Sequence, residues 1–401
     1  MKKTIYKECI SRTLSKMSDI GLARRNFMIE TIYLFLSIMG KINFLQLSRY
    51  GSKNEKTYRN QFEKRFDFLN FNYYLLEENK CSEYVIAFDP SYINKSGKRT
   101  AGMDVFWSGC AGKAKRGLEI GGIAAVDVVK NTAFHLEAVQ TIPKPKQNLN
   151  DWYISVMTER ISSLKKISKY LVVDAWFSNR KFITNMIEHE VNVVSRLRCN
   201  AHLKYYYTGS KTGKRGRPRV YGDKVNCKEI DEKYFDLVEE TETYTLYSAV
   251  VYSISLKRKI RLAYYQSLNG KGKTDYKMYF STDINLEPTK IYDYYKKRFQ
   301  IEFIYRDAKQ YTGLNDCQAQ SENKLHFHFN MSMTSVNIAK IADWLDQESI
   351  QQSPFSLNNI KKLNFNELML NVFLSKIGVN TNLQKIQKVI KKIRLYGTNA
   401  A

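Results

Sequence analysis

Residues Tyr292–Gln310 read YDYYKKRFQIEFIYRDAKQ. On an α-helix, with one residue every 100°, Tyr295, Arg298, Glu302 and Lys309 fall at about 0°, 300°, 340° and 320°, a stripe roughly 60° wide. Phe299 and Phe303 flank the stripe on one side, and Ile301, Ala308 and Tyr294 on the other. A solvated helix face is normally bordered by more polar residues. An acid set among an aromatic hydroxyl and two fixed cations, half wrapped in apolar surface, suits a metal ion and phosphate better than water. Taken alone, the stretch also reads as an exposed face with an Arg298–Glu302 ion pair at i,i+4, worth about 0.2–0.5 kcal/mol.

The acids that decide between these readings lie upstream. Tyr84–Phe88 (YVIAF) is a nearly continuous apolar run of the kind buried in a central sheet, and it stops at Asp89, Pro90 and Ser91. Gly102–Trp107, Ile120–Val129 and Ala133–Val139 continue as strands, closed by Pro143 and Pro145. Trp152–Tyr170 has a helical pattern, and Leu171–Val173 returns to a strand that ends at Asp174. Ser178 or Asn179 is placed to cap a helix running to about Glu190, and Val191–Arg196 is the next strand. This order is an α/β layout with a mixed sheet. A strand-end aspartate alone is commonly a turn residue or a cap. Two of them, each after a buried-type strand, converge with Glu302 into a set of three carboxylates. Such a set, with no His or Cys, is a hard oxygen site suited to Mg²⁺ or Mn²⁺, with two ions serving in-line displacement at phosphorus.

The whole chain agrees with a polyanionic partner. Its 401 residues carry 64 Lys and Arg against 39 Asp and Glu, a formal net charge of +25. That field attracts nucleic acid first. The 28 Tyr and 21 Phe interleaved with the cations can stack on bases or fill cores. The six cysteines show no Cys-x-x-Cys pair and read as reduced thiols of a cytoplasmic protein. Its N-terminus lacks the apolar run of a signal peptide, and Ile32–Met39 is too short to span a bilayer, so no membrane partner is expected.

Residues 1–80 read as a helical DNA-binding domain. Within them Phe44–Phe68 holds a short helix, a break at Gly51–Asn54 and a basic second helix with Arg59, which is either a helix-turn-helix or a plain helical hairpin. Residues 81–200 form the first part of the α/β core, and residues 287–347 its second part with the glutamate helix, starting at Pro288. Between them, residues 201–286 are a β-rich insertion with a basic loop. Arg215, Arg217 and Arg219 of that loop sit in an Arg-Gly-Arg-Pro core that fits an A·T-rich minor groove or is a solvated linker. His326 and His328 are two apart and do not make an i,i+4 zinc pair, so core or capping roles are expected. Residues 348–401 are helical, ending in the basic amphipathic run Lys385–Arg394.

With these residues in hand, the sequence resembles bacterial insertion-sequence transposases of the DDE superfamily, in the group with a ribonuclease-H-like fold interrupted by a β-strand insertion. The spacing of Tyr295, Arg298, Glu302 and Lys309 matches that group's signature, and Asp89 in AFDPS and Asp174 in VVDAWFSN take the places of its two aspartates. The resemblance covers about residues 80–345. It implies catalysis by Asp89, Asp174 and Glu302 as ligands of two Mg²⁺ or Mn²⁺ ions, with Tyr295, Arg298 and Lys309 on the DNA. It further implies a nucleoid-associated homodimer that cuts the terminal inverted repeats of its element and joins the freed 3′-OH to target DNA. Members of the group commonly cut through a DNA hairpin and hold a flipped base on an insertion-domain tryptophan. Here the four tryptophans are 107, 152, 176 and 344, none in the insertion. Tyr205, Tyr221 or Trp176, beside the second aspartate, is left for that role, and the hairpin step stays open. A metal-dependent nuclease without strand transfer and an inactivated DNA-binding regulator remain the alternatives.

Overall fold

The apolar run at Val85–Phe88 does become a central strand, and the rest of the core is laid against it. The computed structural model describes residues 2–79, 81–207, 209, 220–268, 274–347, 355–379 and 383–398. β1 (Tyr84–Ile93) is followed by β2 (Asp104–Ser108), β3 (Lys113–Asp127) and β4 (Thr132–Gln140), then helix α6 (Leu149–Lys165), β5 (Tyr170–Val172), α7 (Arg180–Glu188) and β6 (Asn192–Leu197). β3 pairs antiparallel with β1 and β4, whereas β1, β5 and β6 are parallel neighbours. The result is a mixed α/β fold.

Asn179 caps α7 by accepting from Phe182 N, and Asn148 caps α6 in the same way from Asp151 N. The predicted end of β1 at Asp89 is corrected: the strand continues through Pro90 to Ile93, still paired with β3. Its pairing with β5 stops at Ala87, so beyond that point β1 has an open side where a proline is tolerated.

Strands β7 (Leu203–Tyr206), β8 (Tyr221–Lys224), β9 (Asp236–Glu240), β10 (Tyr244–Ser253), β11 (Arg258–Leu268) and β12 (Thr274–Ser281) occupy the segment read as β-rich. β12 pairs antiparallel with β6, so these strands extend the same sheet. The loop with Arg215, Arg217 and Arg219 lies outside the described residues.

Five helices, α1 (Lys2–Ser15), α2 (Leu22–Phe35), α3 (Phe44–Tyr50), α4 (Glu55–Glu63) and α5 (Phe68–Leu76), precede the sheet. α1, α2 and α4 pack on the long α10 (Glu322–Gln347), where Phe27, Phe62 and Phe327 meet ring to ring. After α10 come α11 (Leu357–Lys376) and α12 (Gln384–Arg394).

α10 also closes the outer edge of the sheet. Asn337 accepts from His135 N (2.9 Å) and donates to His135 O (2.7 Å), and Asn330 does the same for Ala138 (2.8 and 2.9 Å). A bulge in β4 puts these two outward-facing residues three apart, about 10 Å of strand, which matches the rise of two helical turns between the asparagines. The side chains thus replace a missing neighbour strand. Each buried backbone group left unpaired there would cost about 1–3 kcal/mol, and an open edge would invite aggregation.

Candidate active site

The glutamate stretch is not one helix. α8 (Pro288–Lys297) and α9 (Gln300–Tyr311) meet at Arg298–Phe299, where the N–H groups of Ile301 and Glu302 bond back three residues to Arg298 O and Phe299 O. The expected single helix is therefore corrected to two, joined by a tightened turn. Neither glycine nor proline marks that junction. Pro288 does start α8, where its missing N–H costs nothing.

The predicted stripe nevertheless faces the end of β1. Arg298 Nη1 donates to Asp89 Oδ1 at 3.0 Å, and its Nη2 stands 3.7 Å from Glu302 Oε1. One guanidinium therefore serves two carboxylates that lie 213 positions apart in the chain (89 to 302). Lys309 Nζ donates to Ser91 Oγ (2.9 Å) and Tyr92 O (3.0 Å), two and three residues beyond Asp89. Tyr295 lies under the Arg298 guanidinium, 5.7 Å from its ring centroid, and packs on Tyr279 of β12. Behind it Tyr279, Tyr292, Tyr265 and Tyr244 make a continuous run of ring contacts that ties α8 to the added strands.

Asp174 follows β5 and caps the turn Ala175–Phe177 through Trp176 N (2.9 Å), while its carbonyl accepts from Ser195 Oγ of β6. Its charge is felt at the cluster. Burial pushes the Asp89 carboxyl up to about 7; Arg298 opposes this, and the Asp174 and Glu302 charges add to it. Burial also raises Glu302, again against Arg298. Lys309 is lowered by burial. Tyr295 is raised by burial, with Arg298 and Arg196 of β6 opposing. Among the described residues no three His, Cys, Asp or Glu side chains already form a metal-sized cluster. Arg298, lying between Asp89 and Glu302, supplies the positive charge there.

Trp176 stands half exposed beside Asp174, held edge-on by Tyr153 (5.6 Å) and Phe177 (4.9 Å). Tyr205, in contrast, is buried and stacked on Tyr234 at 4.0 Å, which removes it as a surface for a flipped base. Tyr221 packs on Tyr252. Arg59 lies on α4, outside this cluster, paired with Glu55 and over the Phe44 ring. His328 is buried against Gly313 O, a core role, and His326 lies 3.8 Å from Glu137.

One residue of the site was not anticipated. Tyr305 Oη donates to Asp89 O at 2.6 Å, which fixes the backbone that carries the acid. Gly122, opposite Asp89 in β3, makes room: a Cβ there would meet Tyr305 Oη at 2.1 Å. On helical geometry Tyr305 falls at about 280°, at the border of the stripe, so its place was legible even though its role was not.

No helix among the described residues is long and apolar enough to cross a membrane, and the six cysteines are free thiols. No curated protein matches the chain. Residues 154–338, which hold Asp174 and Glu302 but not Asp89, match the family model described as the transposase DDE domain, and that match supports a DDE transposase.

Proposed function

We propose that the chain is an insertion-sequence transposase with a ribonuclease-H-like core, in which Asp89, Asp174 and Glu302 cut the ends of the element and join them to target DNA. The observation that carries this reading is the convergence of Asp89 and Glu302 on Arg298, within the electrostatic reach of Asp174, on a chain of net charge +25. Three carboxylates are a donor set that suits hard divalent cations. Mg²⁺ or Mn²⁺ held by Asp89, Asp174 and Glu302 would supply an activated oxygen nucleophile and charge neutralisation at phosphorus.

The chain's own residues do the rest. Arg298 balances Asp89 and Glu302 and offers its remaining donors to a phosphate oxygen. Lys309 holds the Ser91–Tyr92 end of β1 and adds a cation on the same side. Tyr295 orients Arg298. Tyr305 keeps the Asp89 backbone fixed, so the acid need not reorganise when substrate arrives. Trp176 offers a ring face for a base displaced near Asp174. Residues 1–80, with Arg59, and the basic loop of Arg215, Arg217 and Arg219 would bind the terminal inverted repeats outside the catalytic cluster, and a homodimer would bring two ends together.

The test is incubation of the purified protein and Mg²⁺ with the DNA that flanks its coding sequence. The reading expects nicks that leave a 3′-OH, followed by joined products. Nicks without joining would make it a nuclease, and binding without nicks would make it a regulator.

A further inference from the structure

β2 and the first residues of β3 form a ribbon that projects from the sheet. From Lys113 to Gly117, β3 pairs with β2, and its pairing with β1 begins only at Leu118. Side chains alternate across such a ribbon. Val105 and Trp107 therefore share one face with Ala114 and Arg116, which stand opposite them in the register Val105↔Arg116 and Trp107↔Ala114. That face is open to solvent: Val105 is 60% and Trp107 65% exposed. Lys113, Lys115 and Arg116 are exposed as well, against the single acid Asp104. Arg116 shares the face of Val105 and Trp107, whereas Lys113 and Lys115, opposite Ser108 and Phe106 in the register, stand on the other face. Isolated exposed apolar residues are ordinary, but a tryptophan and a valine beside one cation, on a slim ribbon whose other face carries two more, form a surface of defined chemistry.

The ribbon is fastened to the candidate active site. Tyr92 Oη donates to Arg116 O at 2.8 Å, and its ring fills the space over Gly117, where a Cβ would come within 2.6 Å of it. Lys115 Nζ lies 6.0 Å from the same ring. The backbone of Tyr92, in turn, accepts from Lys309. A line of direct contacts thus runs from α9 through Tyr92 to the ribbon.

We propose that this ribbon is a docking surface for duplex DNA that continues past Lys309, with Lys113, Lys115 and Arg116 on phosphates and Trp107 against the groove wall. The occupant follows from charge: three cations and one acid on a slim two-stranded ribbon match a phosphate backbone, and a two-stranded ribbon fits a major groove. The inference rests on the DNA-cutting reading above.

Phosphate contacts are independent of sequence, so a labelled duplex of arbitrary sequence is a sufficient probe for the full-length protein. Binding is followed by fluorescence anisotropy at several salt concentrations. Each lost phosphate contact removes about 0.9 from the slope of log affinity against log salt, so Lys113→Ala/Lys115→Ala/Arg116→Ala is expected to lower the slope by about 2 to 3. Trp107→Ala is expected to weaken binding severalfold and to abolish the part of the DNA-induced tryptophan quenching that the wild type owes to this ring. All four side chains are exposed, and unchanged melting temperatures check that the variants fold.

Wild-type slope, affinity and quenching in both variants would overturn the proposal. So would a change in sedimentation with DNA binding untouched, which would give the face to a protein partner. If instead the wild type itself shows no salt-dependent binding to DNA, it is the underlying DNA reading that fails.

Discussion

Glu302→Gln is expected to abolish DNA cleavage, by about a thousandfold or more, while affinity for the DNA ends stays close to that of the wild type. The substitution keeps the volume and removes the charge. Glu302 lies in the first turn of α9, about two-fifths exposed, and among the described residues its ion-pair partner is Arg298 at 3.7 Å. Losing so loose a pair costs little stability. Arg298 keeps its 3.0 Å bond to Asp89 and the site stays assembled. Cleavage and binding should therefore separate cleanly in a nicking assay run beside a gel-shift titration. Unchanged cleavage in the variant would remove Glu302 from the chemistry, and lost binding would mean that its role is structural.

Gly122→Ala is expected to have the second large effect, this time on the fold and the site together. The added methyl would come within 2.1 Å of Tyr305 Oη and 2.8 Å of its Cζ. Tyr305 is buried on a helix packed against the sheet, so its ring cannot swing into solvent. Overpacking of this kind costs about 1–3 kcal/mol, to which the displaced bond to Asp89 O adds about 1 kcal/mol. The urea midpoint should fall accordingly, and cleavage should fall with it as the Asp89 backbone loses its anchor. Tyr305→Phe removes the oxygen nearest the new methyl. The double variant should then be more stable than the sum of the two single changes predicts, because the residues are in contact. Additive losses would mean that Gly122 and Tyr305 act independently.

These two residues also mark what the sequence did and did not reveal. The three candidate carboxylates stood out in the sequence because each lies at a change of local pattern: Asp89 and Asp174 after apolar runs, Glu302 in a stripe of fixed spacing. The mixed sheet was legible from the order of strand and helix periods, and the starts of α7, at Ser178 or Asn179, and of α8, at Pro288, from residue type alone. Gly122 was not, since a glycine demanded by close approach looks like any other until its neighbour across the sheet is known. The break at Arg298 was hidden for a related reason: no helix breaker stands there, and the partner of Arg298 is Asp89, far away in the chain. Strand β1 runs on past Pro90 because β3 still pairs with it, which a reading of β1 alone does not contain. The asparagines of α10 resemble surface residues in sequence, and only the open edge of β4 gives them their task.

The central claim is that Asp89, Asp174 and Glu302 act as one cation-dependent site, and Mn²⁺ binding to the full-length protein tests it most directly, without knowledge of the DNA ends. A titration followed by electron paramagnetic resonance should find Mn²⁺ bound to the wild type and its affinity reduced at least about tenfold in each of Asp89→Asn, Asp174→Asn and Glu302→Gln, since each removes one charged oxygen donor. Binding of equal strength in the wild type and all three variants would contradict the account.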